Sequence, residues 1–242
     1  MAWILGHPSE NPSGGCFTEI CDAVSAITVR PVVFCAERFE APDNVILYNW
    51  ENQPVLHESN VARACEIWDF STRNVSRYSP LIQSKIRHVP CGYHPTMERF
   101  VRATESDIDV LFTGSMNDRR RHILDALIAR GLYVVEIAYA LFGPARDAFL
   151  ARTKVVLNMR FYEDGVFPVL RCAHAMANRI VCINETSLET PWWAGPTYSY
   201  DQLTDAVEIA ARKSTHLRNV EADDAYERFR TAPLMIPTER FS

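Results

Sequence analysis

The sequence predicts an α/β protein made of two parallel-sheet domains, and three observations carry that expectation. Short apolar runs rich in β-branched and aromatic residues recur through both halves of the chain, as strands buried on both faces should look. Stretches with helical spacing separate them, the alternation that parallel sheets with crossover helices require. The polar segment from Thr96 to Ser106 interrupts this alternation once, so each half reads as its own layer.

Taken in order, Ala2-Trp-Ile-Leu5 reads as a first strand, followed by the loop His7 to Gly15 and an amphipathic helix from Cys16 to Ile27. Pro31-Val-Val-Phe-Cys35, Asn44-Val-Ile-Leu-Tyr48 and Ala64-Cys-Glu-Ile-Trp68 are strand-like, Ser71 is placed to cap a helix running to about Ser79, and Lys85 to Val89 gives a further strand. The pattern restarts at Asp109-Val-Leu-Phe-Thr113, with a helix from about Arg119 to Arg130 and strands at Tyr133 to Glu136 and Lys154 to Asn158. A helix around Ala145 to Arg152 lies between those strands. Another spans about Phe167 to Asn178 and leads into the strand Arg179 to Ile183; residues 201–213 and 222–231 read as helical. The expected organisation is an N-terminal Rossmann-like domain over 1–95, a C-terminal one over 96–213, and a helical tail over 214–242.

Composition narrows the function classes. At 242 residues, 48% hydrophobic and 23% charged, the chain has material for one large or two small domains. A net charge of −5 supplies no general attraction to nucleic acid or anionic lipid, so nucleic acid would need a local basic patch. Seven cysteines without a CxxC pair, and no signal-type segment ahead of the first strand, predict a reducing cytoplasm. No apolar run reaches the roughly 18 residues of a membrane span.

Ligands of open parallel sheets sit beyond the carboxyl ends of the strands, so the chemistry is sought there. Thr113-Gly-Ser-Met-Asn-Asp-Arg-Arg-Arg-His122 is a strand end, a glycine turn and a helix start bearing three arginines. Helix N-termini favour anions and guanidinium groups bind phosphate oxygens through two hydrogen bonds at once, so Gly114, Ser115, Arg119 and Arg120 are candidates for holding a diphosphate. The structural alternative is that Asn117 or Asp118 caps the helix and the arginines are solvated, and only one or two of three consecutive side chains can point inward. Asn158 to Arg171 repeats strand, acidic loop and helix start, with Pro168 suited to the first helical turn. There Glu163 is placed to accept hydrogen bonds from sugar hydroxyls and Arg171 to reach a phosphate, unless Glu163 simply pairs with Arg160 or Arg171.

In the first half, Leu47-Tyr-Asn-Trp-Glu-Asn52 sets an indole and polar groups just past a buried strand, suited to a sugar or another polar ring. Glu51 is a candidate base there, and His94, at the expected domain junction, is a second. The His88, Cys91 and His94 spacing lacks a fourth ligand nearby and reads as a turn rather than a zinc site. Asp107-Ile-Asp109 opens a strand and reads as surface decoration.

With these residues in hand, the chain resembles compact bacterial and phage glycosyltransferases of the GT-B superfamily, those with a glycosyltransferase-family-1-like C-terminal domain. The resemblance spans nearly all of residues 31–205. It rests on Ile46-Leu-Tyr-Asn-Trp-Glu51, Ile67-Trp-Asp-Phe-Ser-Thr-Arg-Asn74, Val89-Pro-Cys-Gly-Tyr-His-Pro95, Asp109 to Ser115 with Arg119-Arg-Arg121, and Lys154 to Asn158 with Tyr162-Glu163. It implies two Rossmann-like domains facing across a cleft, the second binding a nucleoside diphosphate sugar as donor substrate and the first a hydroxyl-bearing acceptor. It implies no cofactor and no metal, the leaving diphosphate being neutralised by helix N-termini and by Arg119, Arg120 and Arg171. The chain departs from the family where a second, ribose-holding glutamate is expected eight residues after Glu163, since Arg171 stands there; Pro168 and a short first half are further departures. A nucleotide- or partner-binding module without turnover is therefore a rival reading. Glycosylation of hydroxymethylated DNA bases is another, and the overall acidity argues against it.

Overall fold

In the computed structural model of the chain the described residues are 4–5, 18–28, 30–34, 40–52, 56, 58–137 and 141–237. Within them the protein is α/β, with two sheets whose strands all run parallel. Chain contacts divide it into one unit of residues 1–91 and 234–242 and another, Gly92–Pro233. The sequence division had fallen at 95/96 and set residues 214–242 apart as a tail; here most of that tail lies within the second unit.

The first unit runs β1 (Ile4–Leu5), α1 (Thr18–Ile27), β2 (Val32–Phe34), β3 (Ile46–Asn49), α2 (Glu58–Arg63), β4 (Glu66–Asp69), α3 (Thr72–Arg77) and β5 (Ile86–His88). The strands lie side by side in sequence order. Every residue of β2, β3 and β4 is buried, which accounts for their unbroken apolar character and for the absence of any inside–outside alternation to read. Helix α3 starts as expected, with the Ser71 side chain accepting from the Asn74 N–H at 3.1 Å. Helix α2 had no counterpart in the sequence reading; at six residues it shows no sustained helical period. The glycine loop expected at 7–15 lies outside the described residues.

The second unit runs β6 (Ile108–Thr113), α4 (Asp118–Ala129), β7 (Val134–Ile137), α5 (Gly143–Leu150), β8 (Thr153–Asn158), α6 (Val169–Ala177), β9 (Val181–Glu185), β10 (Thr197–Tyr198), α7 (Leu203–Arg212) and α8 (Thr215–Arg230). Its sheet order is β10-β9-β8-β6-β7. The chain begins on β6, adds β7 on one side, then grows away on the other through β8, β9 and β10. The direction of growth reverses between β6 and β8, which opens a crevice at their carboxyl ends. One face of the sheet packs Val110, Phe112, Val155 and Leu157 against Ile123, Leu124 and Leu127 of α4 and Leu203 and Val207 of α7. The other packs Ile108, Leu111 and Val156 against Leu150 of α5 and Ala175 of α6. Pro168 stands at the cap position, one residue ahead of the first turn of α6. Ser214 caps α8, whose Ala222, Tyr226 and Phe229 are buried within this unit.

Candidate functional site

Arg171, in the first turn of α6, lies across the reversal of the second sheet. Its Nε donates to the Thr113 carbonyl at the end of β6 at 2.8 Å, and its Nη1 to Asn158 Oδ1 at the end of β8, also at 2.8 Å. Its Nη2 lies against Gly114: a Cβ there would approach that nitrogen to 2.8 Å, and the backbone has φ +128°. Glycine at 114 thus provides both the turn and the space for a guanidinium. Its N–H is engaged with the Ile137 carbonyl at 3.2 Å, so it serves the sheet rather than a ligand.

Arg120 braces the neighbouring loops. Its Nε, Nη1 and Nη2 donate to the carbonyls of Arg160, Ser115 and Met159 at 3.0, 2.6 and 2.6 Å. Asn117 is the cap of α4, accepting from the Arg120 N–H at 3.0 Å, while its Nδ2 donates to the Phe161 carbonyl at 2.8 Å. The capping alternative and the inward arginines are therefore both realised in one segment. Arg121, third of the run, turns to the surface and pairs with Glu136 at 2.6 Å. Burial, with Arg171 beside it, pulls Arg120 down to about 9, and burial brings Arg171 to about 10. Both stay cationic at neutral pH, at a desolvation cost that a bound anion would offset.

Two further arginines converge on Glu185 at the end of β9. Arg119 Nη1 donates to Oε2 at 2.9 Å and its Nη2 to Oε1, while Arg160 Nε and Nη2 reach Oε1 at 3.1 and 2.8 Å and its backbone N–H reaches Oε2 at 3.0 Å. Glu185 is fully buried, whereas the Arg119 and Arg160 side chains keep 17% and 19% exposure. Burial raises the Glu185 carboxyl, but the Arg119 and Arg160 bonds outweigh it and hold the group below the usual carboxylate range. Four guanidinium groups thus gather at the carboxyl end of one sheet, and among the described residues Glu185 is the one carboxylate ion-paired with any of them.

Of the residues singled out from sequence, Gly114, Ser115, Arg119, Arg120 and Arg171 come together here. Ser115 is exposed. Glu163 is also exposed, and the bond linking it to Arg160 runs from Nη1 to its backbone carbonyl, so the alternative in which its carboxylate pairs with Arg160 is not what the structure shows. Glu185, Arg160 and Asn158 had not been singled out. A buried acid closing an apolar strand was the visible signal for Glu185, because such a charge persists only when paired.

Glu51 belongs to the first unit and His94 to the second. His94 Nδ1 caps a short 3-10 turn, lying 2.9 Å from Thr96 Oγ1 and accepting from the Thr96 backbone N–H at 3.3 Å, and burial pulls the ring below its ordinary value. The Glu51 backbone is tied at its carbonyl to Asn74 Nδ2 at 2.9 Å. The Trp50 ring stacks on Phe70, with centroids 5.4 Å apart and planes 5° apart, and packs on Tyr48 at 4.6 Å. That indole is a buried plug, so it is not available as a platform for a sugar. Sequence reasoning also passed over the centre of this unit, Asp69 at the end of β4. It accepts from Asn49 Nδ2 (2.7 Å), Tyr78 Oη (2.9 Å), the Ser71 N–H (2.9 Å) and Asn74 Nδ2 (3.2 Å). Burial nevertheless pushes it up to about 6. His88 Nε2 lies 3.1 Å from the Phe70 carbonyl, and among the described residues no group of three or more His, Cys, Asp or Glu could hold a metal ion. No described helix is long and apolar enough to cross a membrane.

No family model matches the chain. It is similar to uncharacterized protein L140 of Acanthamoeba polyphaga mimivirus, 26% identical in an alignment 192 residues long that covers 72% of this chain and 62% of that protein. It is also similar to uncharacterized protein L138 of the same virus, 26% identical in an alignment 170 residues long that covers 64% of this chain and 18% of that protein. The chain thus spans less than two thirds of the length of these relatives. Among solved structures, a chain from the crystal structure of accessory secretory protein 1, 2 and 3 in Streptococcus pneumoniae aligns with a TM-score of 0.38 at 8% identity, over 87% of this chain and 52% of that one.

Proposed function

We propose that the second unit binds the diphosphate of a nucleoside diphosphate sugar at the carboxyl ends of β6 and β8, and that the protein transfers the sugar to a hydroxyl-bearing acceptor. The observation that carries this reading is the excess of guanidinium over carboxylate where the sheet reverses: four arginines and one buried acid. Partly desolvated cations aimed at a strand-end crevice stabilise negative charge, and the charge that develops in glycosyl transfer from such donors is that of the departing diphosphate. Arg119 and Arg160 retain the exposure needed to meet it, while Arg120 and Arg171 shape the loops beneath and add their field.

The acceptor hydroxyl must lose a proton, and Glu51 and His94 remain the proposed bases, each to be tested separately. Calorimetry against a panel of nucleoside diphosphates, followed by an assay of sugar–nucleotide hydrolysis, tests the whole. Binding with turnover supports transfer, binding without turnover leaves a nucleotide-binding module, and no binding to any diphosphate removes the site. Arg171→Ala is expected to weaken diphosphate binding, because it removes a cation beneath the crevice and unties the ends of β6 and β8, with Arg121→Ala as the control for general surface charge. Equal effects of the two substitutions would show that only general surface charge matters.

A further inference from the structure

The geometry points to Glu185 as a built-in counter-anion: it occupies the forks of Arg119 and Arg160 that a phosphate would use, and it lowers the affinity of the site for diphosphates. This deepens the reading proposed above and rests on it.

A carboxylate and a phosphate offer guanidinium the same pair of oxygens, and Glu185 already takes both terminal nitrogens of Arg119 and the Nε and Nη2 of Arg160. The alternative role, aligning the two arginines for the ligand, would need them to depend on Glu185 for their placement. They have other anchors. The Arg119 guanidinium lies 4.2 Å from the centre of the Tyr200 ring, and Tyr200 Oη donates to the Arg119 carbonyl at 2.8 Å. Arg160 Nη1 is bonded to the Glu163 carbonyl, and the Arg160 carbonyl accepts from Arg120 Nε at 3.0 Å. With the negative charge removed, both guanidinium groups keep a scaffold and lose a competitor that, fully buried, is poorly screened by solvent.

The test is calorimetric titration of the full chain with inorganic pyrophosphate, comparing wild type with Glu185→Gln. About tenfold tighter binding by the variant, equivalent to about 1.4 kcal/mol, is expected. Equal or weaker binding by a folded variant, with wild type binding normally, overturns the counter-anion role and leaves the site itself standing. No binding by either chain removes the site, and this inference with it. Should Glu185→Gln fail to fold because two guanidinium groups are left facing each other, the double variant Glu185→Gln with Arg160→Gln removes one charge of each sign. Its affinity is then expected within about twofold of wild type, since the freed Arg119 replaces the lost Arg160; a tenfold loss would show that Arg160 and Glu185 act together for the ligand and would overturn the proposal.

Discussion

At Asp69 solvation and hydrogen bonding oppose each other directly. Four donors favour its ionised form, yet its isolation from water raises the carboxyl from 3.8 to about 6. The folded first unit therefore holds a proton on Asp69 over a pH range in which the unfolded chain has released it. Because the folded state binds more protons there, this contribution is fully present below pH 3.8 and is lost as pH rises through about 6. At 1.36 kcal/mol per pH unit, that interval corresponds to about 3 kcal/mol. Urea unfolding at pH 4 and pH 7 tests this: the difference in stability between wild type and Asp69→Asn should change by most of that amount, roughly 2 kcal/mol because the unfolded carboxyl is already more than half ionised at pH 4, with wild type losing relative to the variant as pH rises. A difference independent of pH would mean that the four donors have fully compensated the burial.

At the scale of elements, α8 shows how a helix that looks like a tail becomes structural. Its sequence is mostly polar, its apolar Leu217 and Val220 are exposed away from the buried Ala222, Tyr226 and Phe229, and the reading from sequence found only its second half, 222–231. In the structure it begins at Thr215 behind the Ser214 cap. Phe229 is fully buried, its ring 4.5 Å from that of Trp193 and 5.7 Å from that of Tyr93, and Tyr226 Oη donates to Glu98 at 2.6 Å. Phe229→Ala should therefore destabilise the second unit by about 3–5 kcal/mol, measured by chemical denaturation; a cost under about 1 kcal/mol would mark α8 as dispensable. The main strands were legible because buried parallel strands are continuous apolar runs, and α4 because its cap and arginine run lie next to each other in sequence. Strand β10 was not, since two residues carry no period. The Asp69 and Glu185 clusters were hidden for a different reason. Each draws side chains from separate elements, Asn49, Asp69, Asn74 and Tyr78 in one and Arg119, Arg160 and Glu185 in the other, and spacing along the chain does not encode such convergence.

For the molecule as a whole, the two sheets differ in how they grow, and that difference predicts where a ligand registers. Among the described strands the first sheet adds β1 to β5 in a single direction, whereas the second reverses between β6 and β8. Among the described strands only the second sheet therefore has a strand-end crevice left open by its own topology, and there four arginines gather around one buried acid. A ligand that binds the native state and not the unfolded chain stabilises what it touches, by about 2.7 kcal/mol at a hundred times its dissociation constant. Amide hydrogen exchange with saturating pyrophosphate should accordingly slow in residues 113–120 and 158–163 and around Glu185, the segments tied together by Arg119, Arg120, Arg160 and Arg171. Strands β2, β3 and β4 of the first unit should exchange at unchanged rates. Equal protection in both units would mean that the anion is not read by the reversal point of the second sheet, and protection confined to the first would move the binding site to the Asp69 end of its strands.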